Sequence, residues 1–202
     1  MRGILLLNGQ PYLGDINAIG AVVYCCDGAY SWANGKVKID KNIGDFDSLN
    51  IIPYPAPEEI YPTEKDLTDG EIAIEKMIAD GVKEIEIYGA FGKRCDHFLG
   101  NIHLLLRAKA KGVNAKLINH TEEIFLAQDR AILNGLKGKT ISVLPFGKSA
   151  HIINSKGLKY SYPKKLCYGE CRGISNIVVE DSAFIKLKKG SVALIVINRG
   201  SV

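Results

Sequence analysis

With 202 residues, 47% of them hydrophobic, and a formal net charge of +4, the chain can bury one sizeable core or two small ones. Its apolar runs, such as Ile4–Leu7 and Ala193–Ile197, are strand-sized and far short of the roughly 20 residues of a membrane-crossing helix, which excludes a helical membrane protein. Residues 1–100 carry 9 Lys+Arg against 16 Asp+Glu and residues 101–202 carry 17 against 6, but the later lysines are scattered among alternating apolar positions. That is the pattern of strands with a solvated face, not of a nucleic-acid groove.

In chain order, the first apolar run stops at Asn8-Gly9-Gln10-Pro11, too soon for a signal-peptide core. The five cysteines are odd in number and lack paired CxxC spacing, so reduced thiols and a cytoplasmic location are expected. Short apolar runs at Ile4–Leu7, Ala21–Cys25, Ile85–Tyr88 and Ala115–Ile118 alternate with helix-period segments, which predicts an α/β layer with a mostly parallel sheet. Thr68-Asp69-Gly70-Glu71 has the form of a capping box, followed by an apolar stripe of Ala73, Ile74, Met77 and Ile78 and a stop at Gly81. A second helix is predicted from about Asp96 to Lys111, with Phe98, Leu99, Ile102, Leu105 and Leu106 on its apolar face and Gly112 beyond its end. Four prolines between Ile51 and Pro62 mark a loop inside this first domain.

Beyond about Glu123 the chain changes to short apolar stretches separated by glycines and polar pairs, at Ala131–Leu133, Thr140–Leu144, Ile152–Ile153, Ile174–Val179, Ala183–Leu187 and Ser191–Ile197. None has a helical period, so an all-β domain, sandwich or barrel, is expected. The expected boundaries are an α/β domain over 1–123 and a β domain over 124–202.

The acids of the first domain carry the chemical signal. Gly44-Asp45-Phe46-Asp47-Ser48 follows a short extended segment, and residues i and i+2 of an extended chain point to one side, so Asp45 and Asp47 should converge on a hard cation such as Mg²⁺. An Asp-x-Asp in a turn can equally bond its own backbone. Lys65-Asp66-Leu67-Thr68-Asp69 adds a carboxylate in the first turn of one helix, and Gly92-Lys93-Arg94-Cys95-Asp96-His97 adds Arg94 and Asp96 at the start of the next. Ligands of open α/β sheets bind at the carboxyl ends of strands beside helix N-termini, where three acidic loops together make a site. Taken singly, each acid could instead cap a helix or complement its dipole, and Thr68 and Glu71 are read that way.

Asp27-Gly28-Ala29, Gly44-Asp45-Phe46-Asp47-Ser48, Lys65-Asp66-Leu67-Thr68-Asp69 with Glu71, Gly92-Lys93-Arg94-Cys95-Asp96-His97 with Asn101, Gly157-Leu158-Lys159-Tyr160 and Gly173-Ile174-Ser175-Asn176 come in one order across nearly the whole chain. In that order and spacing the chain resembles the thiamine pyrophosphokinases. The family commonly has glycine where this chain has Ala29 and Lys93, a small hydroxyl residue where it has Gly173 and an acid where it has Ile177.

The resemblance implies an N-terminal nucleotide-binding α/β domain, a C-terminal β-sandwich, and a homodimer with thiamine near the subunit interface. It further implies that the hydroxyl of thiamine attacks the β-phosphorus of ATP, with AMP as leaving group. Asp45, Asp47 and Asp69 would hold Mg²⁺, with Asp45 or Asp69 taking the hydroxyl proton and Asp96 completing the catalytic set. Asp27, Gly28, Lys65, Asp66, Thr68, Arg94, His97 and Asn101 would shape the ATP site, and Ser175 and Asn176 would hold the aminopyrimidine of thiamine.

Two rivals differ in kind: a pyrophosphokinase for another heterocyclic alcohol such as a hydroxymethylpterin, and a non-catalytic nucleotide-sensing module. The second is disfavoured by the presence of every clustered acid. Ser142–Ser149 nearly spells a phosphate-binding loop, yet its first glycine is missing and a strand, not a helix, is expected beyond it. Trp32 falls in a helix predicted after Asp27 and is assigned to the core.

Overall fold

A computed structural model describes all residues except 47, 48, 50, 58, 59, 63, 65, 199, 201 and 202. The chain divides into two compact units, Met1–His120 and Thr121–Val202.

The first unit contains β1 (Arg2–Leu6), β2 (Ala21–Cys26), a 3₁₀ turn (Asp27–Ala29), α1 (Tyr30–Ala33), β3 (Lys41–Ile43), α2 (Asp69–Ala79), β4 (Glu84–Tyr88), α3 (Cys95–Ala110) and β5 (Asn114–Ile118). Its strands pair in the order β5-β4-β1-β2-β3 and all in parallel, with Leu6 opposite both Cys25 and Tyr88. The α/β layer expected from the alternating pattern is present. Strands buried on both faces read as continuous apolar runs, which is why Ile4, Leu5 and Leu6 are all fully buried.

One face of this sheet carries α2 and α3. The Thr68 side chain accepts from the Glu71 N–H at 3.2 Å while Glu71 Oε2 accepts from the Thr68 N–H at 2.9 Å, so the capping box closes as the sequence predicts. The helix then buries Ile72, Ala73, Ile74 and Met77, the larger side chains each contributing about 1.5–3 kcal/mol relative to exposure. Arg107 of α3 locks the two helices together, its NH1 on Glu75 and its NH2 on Glu71, both at 2.7 Å. The opposite face buries Ile4, Leu6, Val23, Cys25, Tyr88 and Ile118 against Ala29, Tyr30 and Ala33. Trp32 packs with this cluster and donates to the Leu7 carbonyl at 3.2 Å, the core role expected for it.

The apolar face expected for α3 is corrected in part. Leu104, Leu105 and Ala108 are buried, but Leu99 and Leu106 are 59% and 39% exposed. At roughly 100° per residue Leu106 lies about 160° around the helix from Ala108, so the two exposed leucines share the solvent side.

The second unit contains β6 (Glu122–Ala127), β7 (Arg130–Ile132), β8 (Thr140–Pro145), β9 (Ala150–Lys156), β10 (Lys165–Leu166), β11 (Asn176–Ile177), β12 (Phe184–Leu187) and β13 (Ala193–Asn198). Two antiparallel layers, β11-β8-β13-β6 and β10-β9-β12-β7, share one core that includes Ile141, Val143 and Ile195 from the first and Ala131, Ile152 and Ile185 from the second. The chain is thus an α/β unit followed by a β unit. A boundary after residue 123 would cut β6, whose leading glutamates conceal its start in the sequence. Ser142–Ser149 runs out of β8 toward β9, with no helix to receive a phosphate.

Candidate active site

In the strand order 3-2-1-4-5, the connections from β1 and from β4 leave in opposite directions across the sheet, and such a switch opens a crevice at the carboxyl ends of those two strands. The chain beyond β1 is fastened to the chain beyond β4. Leu7, Gly9 and Gln10 donate their N–H groups to the carbonyls of Tyr88, Gly89 and Phe91 at 2.9, 2.7 and 2.6 Å. Gly9 is required there, because a Cβ would run into the carbonyl oxygens of Gly89 and Phe91.

The acids gather beside this switch. Asp27 opens the 3₁₀ turn directly after β2, with a left-handed φ of 38°. Gly44, just beyond β3, has φ 151°, and a Cβ on it would lie 2.9 Å from the Asp27 Cβ, so the turn that carries Asp45 lies against Asp27. Asp69 begins α2, and its carbonyl accepts from Cys26 Sγ at 3.5 Å, which brings that helix N-terminus to the end of β2. Gly70 faces Leu7 and Leu104, and a Cβ on it would press on Leu104 Cδ1 at 3.1 Å. The proline-bearing loop returns to the same place, Tyr61 N–H donating to the Gly44 carbonyl at 3.2 Å and Asn42 Nδ2 to the Pro55 carbonyl at 2.7 Å.

The extended geometry expected across Gly44-Asp45-Phe46-Asp47 does not hold at Phe46. Phe46 has φ 56°, so the segment bends and strand alternation does not apply to it. Asp47 and Lys65 lie outside the described residues. Asp66 is exposed, and the Thr68 hydroxyl is engaged by Glu71 within the capping box, bonding to Oε2 at 3.0 Å. Among the described residues no three His, Cys, Asp or Glu side chains form a ready metal cluster.

Asp96 is held by Arg94 in a two-point pair, Nε to Oδ1 at 3.1 Å and NH2 to Oδ2 at 2.5 Å, and Oδ1 also accepts from the His97 N–H at 2.9 Å. The Arg94 guanidinium first, and then the His97 N–H, hold the carboxyl down at about 2. A carboxylate so placed is a poor general base and a good support for Arg94. Asn101, in the second turn of α3, donates to the Ala90 carbonyl at 2.8 Å and so fixes the loop after β4. Gly28 lies under Asn8, whose amide a Cβ would overlap.

In the β unit, Ser175 is exposed with φ 62° and its N–H donates to Ser142 Oγ at 3.2 Å. Asn176 is only 3% exposed. Its Oδ1 accepts from the N–H groups of Tyr160 and Ile177 at 3.1 and 2.9 Å, and its Nδ2 donates to the Tyr160 carbonyl at 2.7 Å. The amide thus clamps the Tyr160 backbone. Tyr160 itself is 56% exposed, with Lys159 Nζ 5.3 Å from its ring centroid.

Asn8, Gly9 and Gln10, which end the first apolar run in the sequence, join the expected site residues here. A glycine a few residues beyond the first strand of an α/β pattern, here Gly9 beyond Leu6, is their signal in the sequence.

The chain matches two family models, "Thiamin pyrophosphokinase, catalytic domain" over residues 18–117 and "Thiamin pyrophosphokinase, vitamin B1 binding domain" over residues 123–192. It is 31% identical over 163 residues to a Bacillus subtilis protein named thiamine pyrophosphokinase, covering 75% of each chain. Its fold is similar to the crystal structure of thiamine pyrophosphokinase from Bacillus subtilis (TM-score 0.83, 23% identity, 98% of each chain). It is similar also to a thiamin pyrophosphokinase family protein from Enterococcus faecalis (0.83, 20%, 100% of each chain) and to yeast thiamin pyrophosphokinase (0.72, 15%, 98% of this chain and 86% of that one).

Proposed function

From the premise that the chain belongs to the thiamin pyrophosphokinase family, enzymes that transfer pyrophosphate to thiamine, we propose how its own residues carry out that transfer from ATP. The observation that carries the reading is the gathering of Asp27, the Asp45 turn and Asp69 at the carboxyl ends of parallel strands, beside the switch between β1 and β4.

The thiamine hydroxyl oxygen forms a bond to the β-phosphorus of ATP, the bond from that phosphorus to the bridging oxygen of the α-phosphate breaks, and AMP leaves with that oxygen. The hydroxyl proton passes to a carboxylate, Asp45 or Asp69 in this reading. Little covalent help is needed from the protein; placement and charge neutralisation dominate. Asp45, Asp47 and Asp69 would hold Mg²⁺, which supplies charge neutralisation to the phosphates. The donor set fits this ion: it is made of carboxylate oxygens, and Mg²⁺ ordinarily takes one or two carboxylates with substrate phosphates and water, so a closed three-acid cage is not required.

Arg94, oriented by Asp96 and His97, would meet the phosphates, with Asp27, Gly28, Lys65, Asp66 and Asn101 shaping the rest of the ATP site and Thr68 serving it only by capping α2. The second unit, read as a β-sandwich, would recognise thiamine through the exposed Ser175 hydroxyl and the Tyr160 ring, with Asn176 holding Tyr160 in position. The assignment of residues 1–123 to catalysis and 124–202 to thiamine belongs to the same reading, as does a homodimer, which light scattering of the active species tests. Dependence on ATP and five free cysteines support a cytoplasmic setting; no helix among the described residues is long and apolar enough to cross a membrane.

Incubation of the purified protein with ATP, Mg²⁺ and thiamine should yield AMP and thiamine diphosphate in equal amounts. AMP formation with a hydroxymethylpterin in place of thiamine, or ATP binding without turnover, would favour the two rival readings instead.

A further inference from the structure

Where motifs resembling this one have a second glycine before the arginine, this chain has Lys93, and the backbone there has φ 52°. Glycine adopts that conformation without penalty, whereas a lysine pays a steric cost for it. A costly residue at an exposed loop position points to its side chain.

That side chain has a fixed place. Lys93 Nζ donates to Asn8 Oδ1 at 2.9 Å, across 85 residues of sequence. Asn8 follows β1 and Lys93 follows β4, so the ammonium lies directly at the switch between the two strands. Three backbone hydrogen bonds from Leu7, Gly9 and Gln10 to Tyr88, Gly89 and Phe91 hold the two loops in register below it. On its other side the Asn8 amide lies against Gly28, in the turn that begins with Asp27. The next residue, Arg94, has its guanidinium engaged by the Asp96 carboxylate, whereas among the described residues the hydrogen-bond partner of Lys93 is a neutral amide.

We infer that Lys93 is a polyphosphate-binding residue of this chain and that Asn8 is its positioning residue. The inference rests on the reading of the site as one for ATP. A neutral anchor suits this role, because a carboxylate in its place would repel the phosphates that the lysine is to bind. Asn8 also links the loop after β4 to the turn after β2, so a phosphate chain gripped by Lys93 is held beside the acids.

The test compares wild type, Lys93→Gly and Asn8→Ala for binding of ATP·Mg²⁺, inorganic tripolyphosphate and adenosine. An exposed ion pair corresponds to a loss of about fivefold in affinity. Lys93→Gly should weaken ATP and tripolyphosphate by about that factor, leave adenosine unchanged and raise the KM for ATP in step. Its thermal midpoint should hold or rise, since glycine suits the backbone. Asn8→Ala should show the same phosphate-selective loss, and the double variant should lose no more than Lys93→Gly alone. Lys93→Arg should retain most of the affinity. Unchanged tripolyphosphate affinity in Lys93→Gly would overturn the inference, as would an equal loss for adenosine, which marks a general disturbance of the loop. Absence of AMP formation by wild type would instead remove the reading on which the inference rests.

Discussion

Replacing Asn176 by alanine separates a substrate-reading amide from a structural clamp. The wild-type amide makes three hydrogen bonds to backbone, two of them to Tyr160, from a side chain almost wholly buried. Alanine leaves the Tyr160 N–H, the Tyr160 carbonyl and the Ile177 N–H without these partners. Each buried group left unpaired costs about 1–3 kcal/mol, and partial access of water around the exposed Tyr160 reduces the total to about 2–4 kcal/mol. With a urea dependence of about 1–3 kcal/mol per molar, the unfolding midpoint should fall by roughly 1–2 M. Far-ultraviolet circular dichroism follows the β unit, and titration calorimetry reads thiamine binding in parallel. Tyr160→Ala should reduce thiamine affinity with a much smaller loss of stability, because the backbone bonds remain. Ser175→Ala should do the same. An Asn176→Ala protein with a wild-type urea midpoint and a tenfold loss of thiamine affinity would refute the clamp and return the amide to the substrate.

Asp45→Asn and Asp69→Asn should each lower AMP formation by several powers of ten while circular dichroism stays native, since a lost ligand or base removes several kcal/mol of transition-state stabilisation. Burial works against the charge of Glu71, but its bonds from Thr68 and the Arg107 guanidinium prevail and its carboxyl titrates below the ordinary value. A lowered folded value means stability that is present above the unfolded value of about 4.3 and lost as pH falls through the folded one, so the gap between wild type and Glu71→Gln in urea midpoint should be full at pH 7 and shrink below about pH 4. Gly9→Ala should collapse the loops after β1 and β4, because its Cβ would meet two carbonyl oxygens, whereas Gly100→Ala in α3 meets nothing within 4 Å and should stabilise by about 0.5–1 kcal/mol; thermal melts of the two variants check both.

Features that depend on neighbours along the chain were legible in the amino-acid order. Short apolar runs marked β1, β2, β4 and β5 because each strand ends on two consecutive buried residues, one to each face of the sheet, and Thr68 and Glu71 announced the start of α2 because a capping box closes within four residues. The order of the acidic motifs was enough to indicate the family. Features that depend on groups far apart, or on which side of an element is covered, emerge only in the folded chain. Leu99 and Leu106 look like core in a periodic pattern, yet the packing of α3 turns them to solvent. Asn176 reads as a donor and acceptor for a ligand until the backbone of Tyr160, 16 residues away, is found to engage both ends of its amide. Asn8 and Lys93 are unremarkable letters 85 positions apart, and only the parallel order 3-2-1-4-5 puts them on either side of one crevice. The physical reason is common to all three cases: a hydrogen bond or a buried face is specified by two partners, and a local pattern contains only one.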